Sequence, residues 1–266
     1  MDDDAGNNKP TVGFTKDVVC GSQREPAEHA VKRDSILDAA RQLVLDKGCE
    51  NFTVQDLLDV LGISKGAFYH YFASKPAVIE ALTERLVDES ERLLSPIVER
   101  ADLSALEKLQ CFFAETIRWK SAQQSLMLAL LPVWYAEDNA GFRQKVNRAV
   151  ARRLAPLLTA IVREGVNENS FTTAYPAQAG AIIIAIIQAL QDALAEQLLA
   201  ARAPAQPARV NAAVAIYGAH VEAIERLLAI PSGALYRADA TTVEEWIDAQ
   251  HLRSFTRLGR TATDED

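Results

Sequence analysis

The segment FTVQDLLDVLGISKGAFYHYFASK, Phe52 to Lys75, decides the fold. Thr53 stands just ahead of Val54, Leu57, Leu58 and Leu61, which fall at i, i+3, i+4 and i+7 on one face of a short helix. Asp56 follows the threonine by three residues, the spacing of a capping box in which each side chain satisfies a free amide at the helix start. Gly62 then permits a tight turn, Ile63 can fold back on a core, and Ser64 can cap a further helix of about eight residues. That helix carries Phe68, Tyr71 and Phe72 on one side and leaves Lys65, Ala67, Tyr69 and His70 largely on the other. A helix so short is unstable alone in water, so its aromatic side must be held by neighbours.

Upstream, Ile36, Ala39, Ala40, Leu43 and Val44 repeat at helical spacing, and Gly48 can end their helix, which predicts a first helix near 33–47. The result is a compact three-helix head. Downstream, Ser74 can cap a fourth helix with Pro76 in its first turn, where amides have no acceptor. Val78, Ala81, Leu82, Val87 and Leu94 give that helix an apolar side, and Pro96 marks its end or a bend. It is longer than the head needs and can join the head to a second domain. Helical patterning then continues without β-alternation near 102–119, 121–135, 139–165, 176–200, 207–229 and 241–254. The expected fold is all-α: a three-helix head with a helix-turn-helix, followed by a larger helical domain. The expected division is a flexible N-terminal arm over 1–30, the head over 31–76, a connecting helix over 77–98, the larger domain over 99–258 and a flexible tail over 259–266.

Composition narrows the class. The chain of 266 residues is 49% hydrophobic with a net charge of −8, enough to bury a core and too acidic to coat polyanions with its whole surface. Cys20, Cys49 and Cys111 are odd in number and widely spaced, which suits reduced thiols better than a disulfide framework or a zinc site. The most apolar stretch, Ala179 to Ile187, is interrupted by Gln188 and falls short of the roughly 20 residues that span a bilayer. The acidic start, Met-Asp-Asp-Asp, is unlike a secretory leader. A cytoplasmic protein with no membrane partner is the expectation.

A short helix set after a glycine turn has the dimensions to enter a major groove with its first residues at the base edges. Thr53, Tyr69, His70 and Lys75 can offer hydrogen bonds or charge to phosphate oxygens around it. From Lys32 to Glu80 the head holds six basic and seven acidic residues, so binding would depend on segregated charge and hydrogen bonds and would respond to salt.

RDSILDAARQLV from Arg33, Gly48, FTVQDL from Phe52 and LGISKGAFYHYFASK from Leu61 together resemble the N-terminal domain of the tetracycline-repressor (TetR) family over about 50 residues. The resemblance implies a homodimer whose second and third helices form a helix-turn-helix, with a helical body that binds a small molecule and then releases operator DNA. It implies base reading at Lys65, Gly66 and Ala67 after the Ser64 cap, backbone or base contact at Tyr69 as the first member of the pair Tyr69 and His70, and phosphate contact at Thr53 and Lys75. Gly66, with no side chain, would let the backbone approach the groove. Val54 and Leu58 depart from the commoner smaller or isoleucine residues and alter packing rather than role.

In the larger domain, Arg118, Trp119, Trp134, Tyr135, Tyr217 and His220 combine aromatic surface with polar handles, suited to a mostly apolar cavity with a few directional contacts or to ordinary core packing. Arg118 biases such a ligand toward an anionic or carbonyl end. Apolar stripes of Ile183, Ile186, Ile187, Leu190 and Leu194, and of Ala213, Tyr217, Val221, Ile224 and Leu228, are expected to form the dimer interface. The histidines are scattered and no zinc-protease, phosphate-loop or nucleophile-elbow motif is present, so no enzyme activity, metal or cofactor is expected. The expected function is a DNA-binding regulator, a repressor released by a small apolar or amphipathic effector; a helical protein-interaction module or an activator without an effector is the alternative.

Overall fold

The computed structural model describes residues 24–200 and 204–261. Ten α-helices follow in order: α1 (Arg24–Lys47), α2 (Val54–Leu61), α3 (Lys65–Tyr71), α4 (Lys75–Val98), α5 (Ala105–Ala122), α6 (Gln124–Tyr135), α7 (Ala140–Asn167), α8 (Pro176–Leu199), α9 (Pro207–Leu228) and α10 (Ala240–Thr261), with a short 3-10 turn at Glu137–Asn139. There is no strand among the described residues.

The caps act as the spacing requires. Thr53 Oγ1 accepts from Asp56 N at 3.1 Å while Thr53 N donates to Asp56 Oδ2 at 2.7 Å, closing the capping box at α2. Gly62 adopts φ 61° and its amide donates to Leu58 O, a left-handed stop that L side chains resist. Ser64 and Ser74 cap α3 and α4 by accepting from Ala67 N and Ala77 N.

Two boundaries differ from expectation. α1 begins at Arg24 rather than near 33, so residues 24–30, expected in a flexible arm, are helical; the rest of that arm lies outside the described residues. The apolar period starts only at Ile36 because the turns before it run ahead of the core, with residues 28–32 exposed, and Pro26 stands in the first turn, where it costs no hydrogen bond. At the other end, α10 continues through Thr261, past the expected start of a tail at 259; residues 262–266 lie outside the described residues. Pro96 neither ends nor precedes the end of α4 by much: the helix runs through it to Val98.

The head core gathers Ile36, Leu37, Leu43, Phe52, Leu57, Phe68 and Phe72 with Val78, Leu82 and Leu86 of α4. Leu126, Ala129 and Leu130 of α6 belong to the same cluster, so the body reaches the head through α6 as well as through α4. Arg41 Nη2 on α1 donates to Gln123 Oε1 just before α6 at 2.6 Å. The body core is separate, built from Leu94, Leu109, Phe112, Leu158, Ile161, Ile183 and Ile224 among others. α7 and α8 approach closely at Gly180, where a Cβ would run into Ala155 O and Thr159.

α8 is 24 residues long and apolar enough, by length and composition, to cross a bilayer. Here Ala179, Gly180, Ile183, Ile184 and Leu190 face the protein interior, and Gly180 is fitted to α7, so one side of the helix is a packing surface for this fold.

Candidate DNA interface and internal cavity

On the head, Thr53, Ser64, Lys65, Gly66, Ala67, Tyr69 and His70 all stand exposed on one stretch of α2–α3. Phe68 lies 0% exposed directly behind them, and Tyr69 is 47% exposed. α3 is therefore anchored by its aromatic side and presents the other. Lys65 has no intramolecular ion pair or hydrogen bond among the described residues, whereas Lys47 is held by Asp56 at 2.6 Å and Arg33 lies over the Phe72 ring at 5.1 Å. At Gly66 an added Cβ would meet only Ser64 Oγ at 3.9 Å, an ordinary contact, so this glycine is not required by packing within the chain.

Two members of the set differ from a simple phosphate contact. Lys75 is half-buried; its Nζ donates to Glu50 O at 2.9 Å and sits 4.4 Å from the Phe52 ring centroid, and burial lowers its pKa. It ties the start of α4 to the α1–α2 loop. His70 stacks edge-on with His29 at 5.5 Å, and His29 lies 4.6 Å from the Tyr71 ring. The early turn of α1, invisible to the apolar periodicity, thus braces α3.

The body contains a cavity of about 360 Å³, at the small end of the range of about 300–1,000 Å³ usual for ligand pockets. Trp119, Trp134, Tyr135, Tyr217 and His220 line it, as do Lys120, Arg143 and Trp246. Arg118 does not: it is 72% exposed and paired with Glu115 one turn back on the outer face of α5. The helical wheel explains the error. Phe113, Thr116 and Lys120 share one face of α5, at i, i+3 and i+7, and that face is the cavity wall, while Arg118 shares the solvent side with Glu115.

Several of these side chains are already engaged. Tyr135 Oη donates to Asp192 Oδ1 at 2.7 Å beneath the Arg143 guanidinium, which lies 5.0 Å from its ring; burial and then the Asp192 carboxylate raise the phenol's pKa. Arg143 Nη1 also reaches Trp134 O at 3.3 Å. Burial pushes the Tyr217 phenol up to about 12, so it stays neutral. His220 Nδ1 lies 2.8 Å from Ile216 O, which puts the ring proton on that nitrogen.

The expected dimer stripes are used inside the chain. Ile183, Leu190, Ala213, Val221, Ile224 and Leu228 are buried, and Ile186, Ile187, Leu194 and Tyr217 line the cavity. The reason is that α8 and α9 are the inner wall of the body, so their most apolar sides turn inward. Their outer sides are left with Ala181, Ile182, Ala185 and Ala189 on α8 and Ala208, Ala212, Ala215 and Ala219 on α9, all exposed.

A three-helix head with a helix-turn-helix, mounted on a helical body, defines a DNA-binding transcriptional regulator. A sequence profile described as bacterial regulatory proteins, tetR family, matches residues 36–82. The chain is 30% identical over 155 residues to the HTH-type transcriptional repressor KstR2 of Mycolicibacterium smegmatis, covering 55% of this chain and 70% of that protein. It is 33% identical over 109 residues to the HTH-type transcriptional regulator AlkX of Mycobacterium tuberculosis, covering 40% of this chain and 49% of that one. A TetR-family transcriptional regulator of Pectobacterium atrosepticum shares the fold with a TM-score of 0.58 at 17% identity, over 77% of this chain and 98% of its own. The chain belongs to the TetR family of bacterial regulatory proteins.

Proposed function

We propose that the chain is a cytoplasmic, homodimeric repressor that holds a near-palindromic operator through two copies of α3 and leaves it when a small apolar or amphipathic effector occupies the body cavity. The observation that carries this reading is shared walls. Leu86 of α4 lies in the head core and lines the cavity, and Trp119 and Trp134 line the cavity while packing against the head core. An occupant that moves these side chains moves the head, and it shifts DNA affinity by whatever difference it makes between the two head positions.

One α3 covers too little duplex for useful specificity, and two-fold symmetry doubles the readout at half-sites about 34 Å apart. The alanine-rich outer sides of α8 and α9 suit close packing of four helices from two chains. Thr53, Ser64, Tyr69 and His70 supply backbone contacts, Lys65 and Ala67 the base edge, and Gly66 the close approach; Lys75 supports the surface from behind. The test is selection of bound DNA from a random library, followed by expression measurements with the gene deleted. Neighbouring genes rising on deletion supports repression; their falling overturns it.

A further inference from the structure

Within an acidic protein the cavity is lined by two cations, Lys120 and Arg143, and among the described residues by no aspartate or glutamate. The two cations differ. Arg143 is occupied by the Tyr135 ring and Trp134 O. Lys120, at the last turn of α5, has no hydrogen-bond or ion-pair partner among the described residues, and burial alone lowers its pKa to about 8. It is still largely protonated at neutral pH. An ammonium lining a mostly apolar cavity without a counter-charge is costly to the fold, and such a cost is relieved by an anion brought in from outside. A second observation points the same way. The indole Nε1 of Trp134 is buried and has no hydrogen-bond acceptor, and the Trp134 residue also lines the cavity. Two residues that line one space therefore carry donors without acceptors, and most of the remaining lining is apolar, with Phe112, Phe113, Leu128 and Ile184 among it and Ser90, Thr116, Asn147 and Gln191 among its polar members.

We propose that the cavity selects an amphipathic anion, whose single carboxylate-like head pairs with Lys120 and accepts from Trp134 Nε1 while its apolar body lies along the aromatic and aliphatic walls. This rests on the reading of the cavity as the effector site. The other titratable groups that face it do not compete for the head: Tyr135 is tied to Asp192, Tyr217 is neutral, and His220 donates to its own helix.

The test uses three probes of equal chain length below their micelle-forming concentrations: decanoate, decanol and decyltrimethylammonium. All three tryptophans of the chain, Trp119, Trp134 and Trp246, line the cavity, so intrinsic fluorescence reports occupancy directly. Decanoate is expected to bind at least about tenfold more tightly than decanol at pH 7, and decyltrimethylammonium more weakly than either. The advantage of decanoate should fade as pH rises through about 8, where Lys120 loses its proton. Lys120→Met should erase both the advantage and its pH dependence while leaving decanol binding and thermal stability at least as high as before, and Lys120→Arg should keep the advantage. Equal binding of decanoate and decanol, or an advantage that survives Lys120→Met, overturns the proposal. Operator release, followed separately with labelled DNA, distinguishes the two readings. Release by all probes without charge preference sinks only the anion inference, whereas anion-selective binding without release sinks only the effector reading.

Discussion

The head and the body solve opposite problems with the same material. In the head, Phe52, Phe68 and Leu82 are buried in one continuous core, and the residues proposed to meet DNA stand outside on α2 and α3. In the body, the helices leave a cavity among α4 to α10, and the residues proposed to meet an effector line its interior. A surface that reads DNA must be rigid, because one side chain displaced by a fraction of a base step loses its partner. A cavity that reports a ligand must instead tolerate two arrangements. The two regions meet at Leu86, Trp119 and Trp134, where the filled core and the cavity share walls.

The largest effect that would separate the two regions comes from emptying the head core. Phe68→Ala removes a fully buried ring and should cost about 3–5 kcal/mol, seen as an early transition in urea followed by circular dichroism. Operator binding should disappear, while occupancy of the cavity, read by tryptophan fluorescence, falls far less. Parallel loss of both would mean that head and body stand as one cooperative unit and that the contrast between them is false.

Lys65→Ala leaves the fold alone, because the side chain is exposed and makes no hydrogen bond or ion pair among the described residues. It should relax discrimination among operator variants by about 1–3 kcal/mol, measured by competition binding; a uniform loss across variants would move Lys65 to the phosphate class. Lys75→Ala should behave in the reverse way. Removing the hydrogen bond to Glu50 O and the contact with Phe52 should lower stability by about 1 kcal/mol, and all operators should weaken alike. Unchanged thermal stability would show that Lys75 acts on DNA alone, as its position in the sequence first implies.

The smallest effect is also the sharpest. Gly66→Ala has room for its methyl and should leave the fold as stable or up to about 1 kcal/mol more stable, while operator affinity falls because the backbone can no longer approach the groove. If affinity is kept, Gly66 has no role at the interface.

Much of this was legible in the residues themselves, for reasons that differ between the regions. Thr53, Asp56, Gly62 and Ser64 act through neighbours three or four positions away, so their spacing alone specifies the helix-turn-helix. Trp119, Trp134, Tyr135, Tyr217 and His220 were legible as cavity candidates by type, but Trp246 was not, and Arg118 was named where Lys120 lines the cavity, since only the register of α5 against α4 and α6 decides which of them faces inward. The dimer stripes failed for a related reason. Apolar periodicity shows that a helix face is buried, and it is silent on whether the same chain or a second copy buries it; on α8 and α9 the stronger stripe went inside and the alanines were left outside. The early turns of α1 were missed because a helix beyond its core has no apolar period, although His29 there supports Tyr71 and His70.

Coupling through the shared walls is tested most directly by measuring operator affinity and cavity occupancy in one sample, with labelled operator followed by anisotropy and the ligand by tryptophan fluorescence. As decanoate or any other cavity ligand saturates the tryptophan signal, operator should dissociate over the same concentration range, and saturating operator should weaken ligand binding by the same factor. A cavity filled to saturation with operator affinity unchanged would contradict the account.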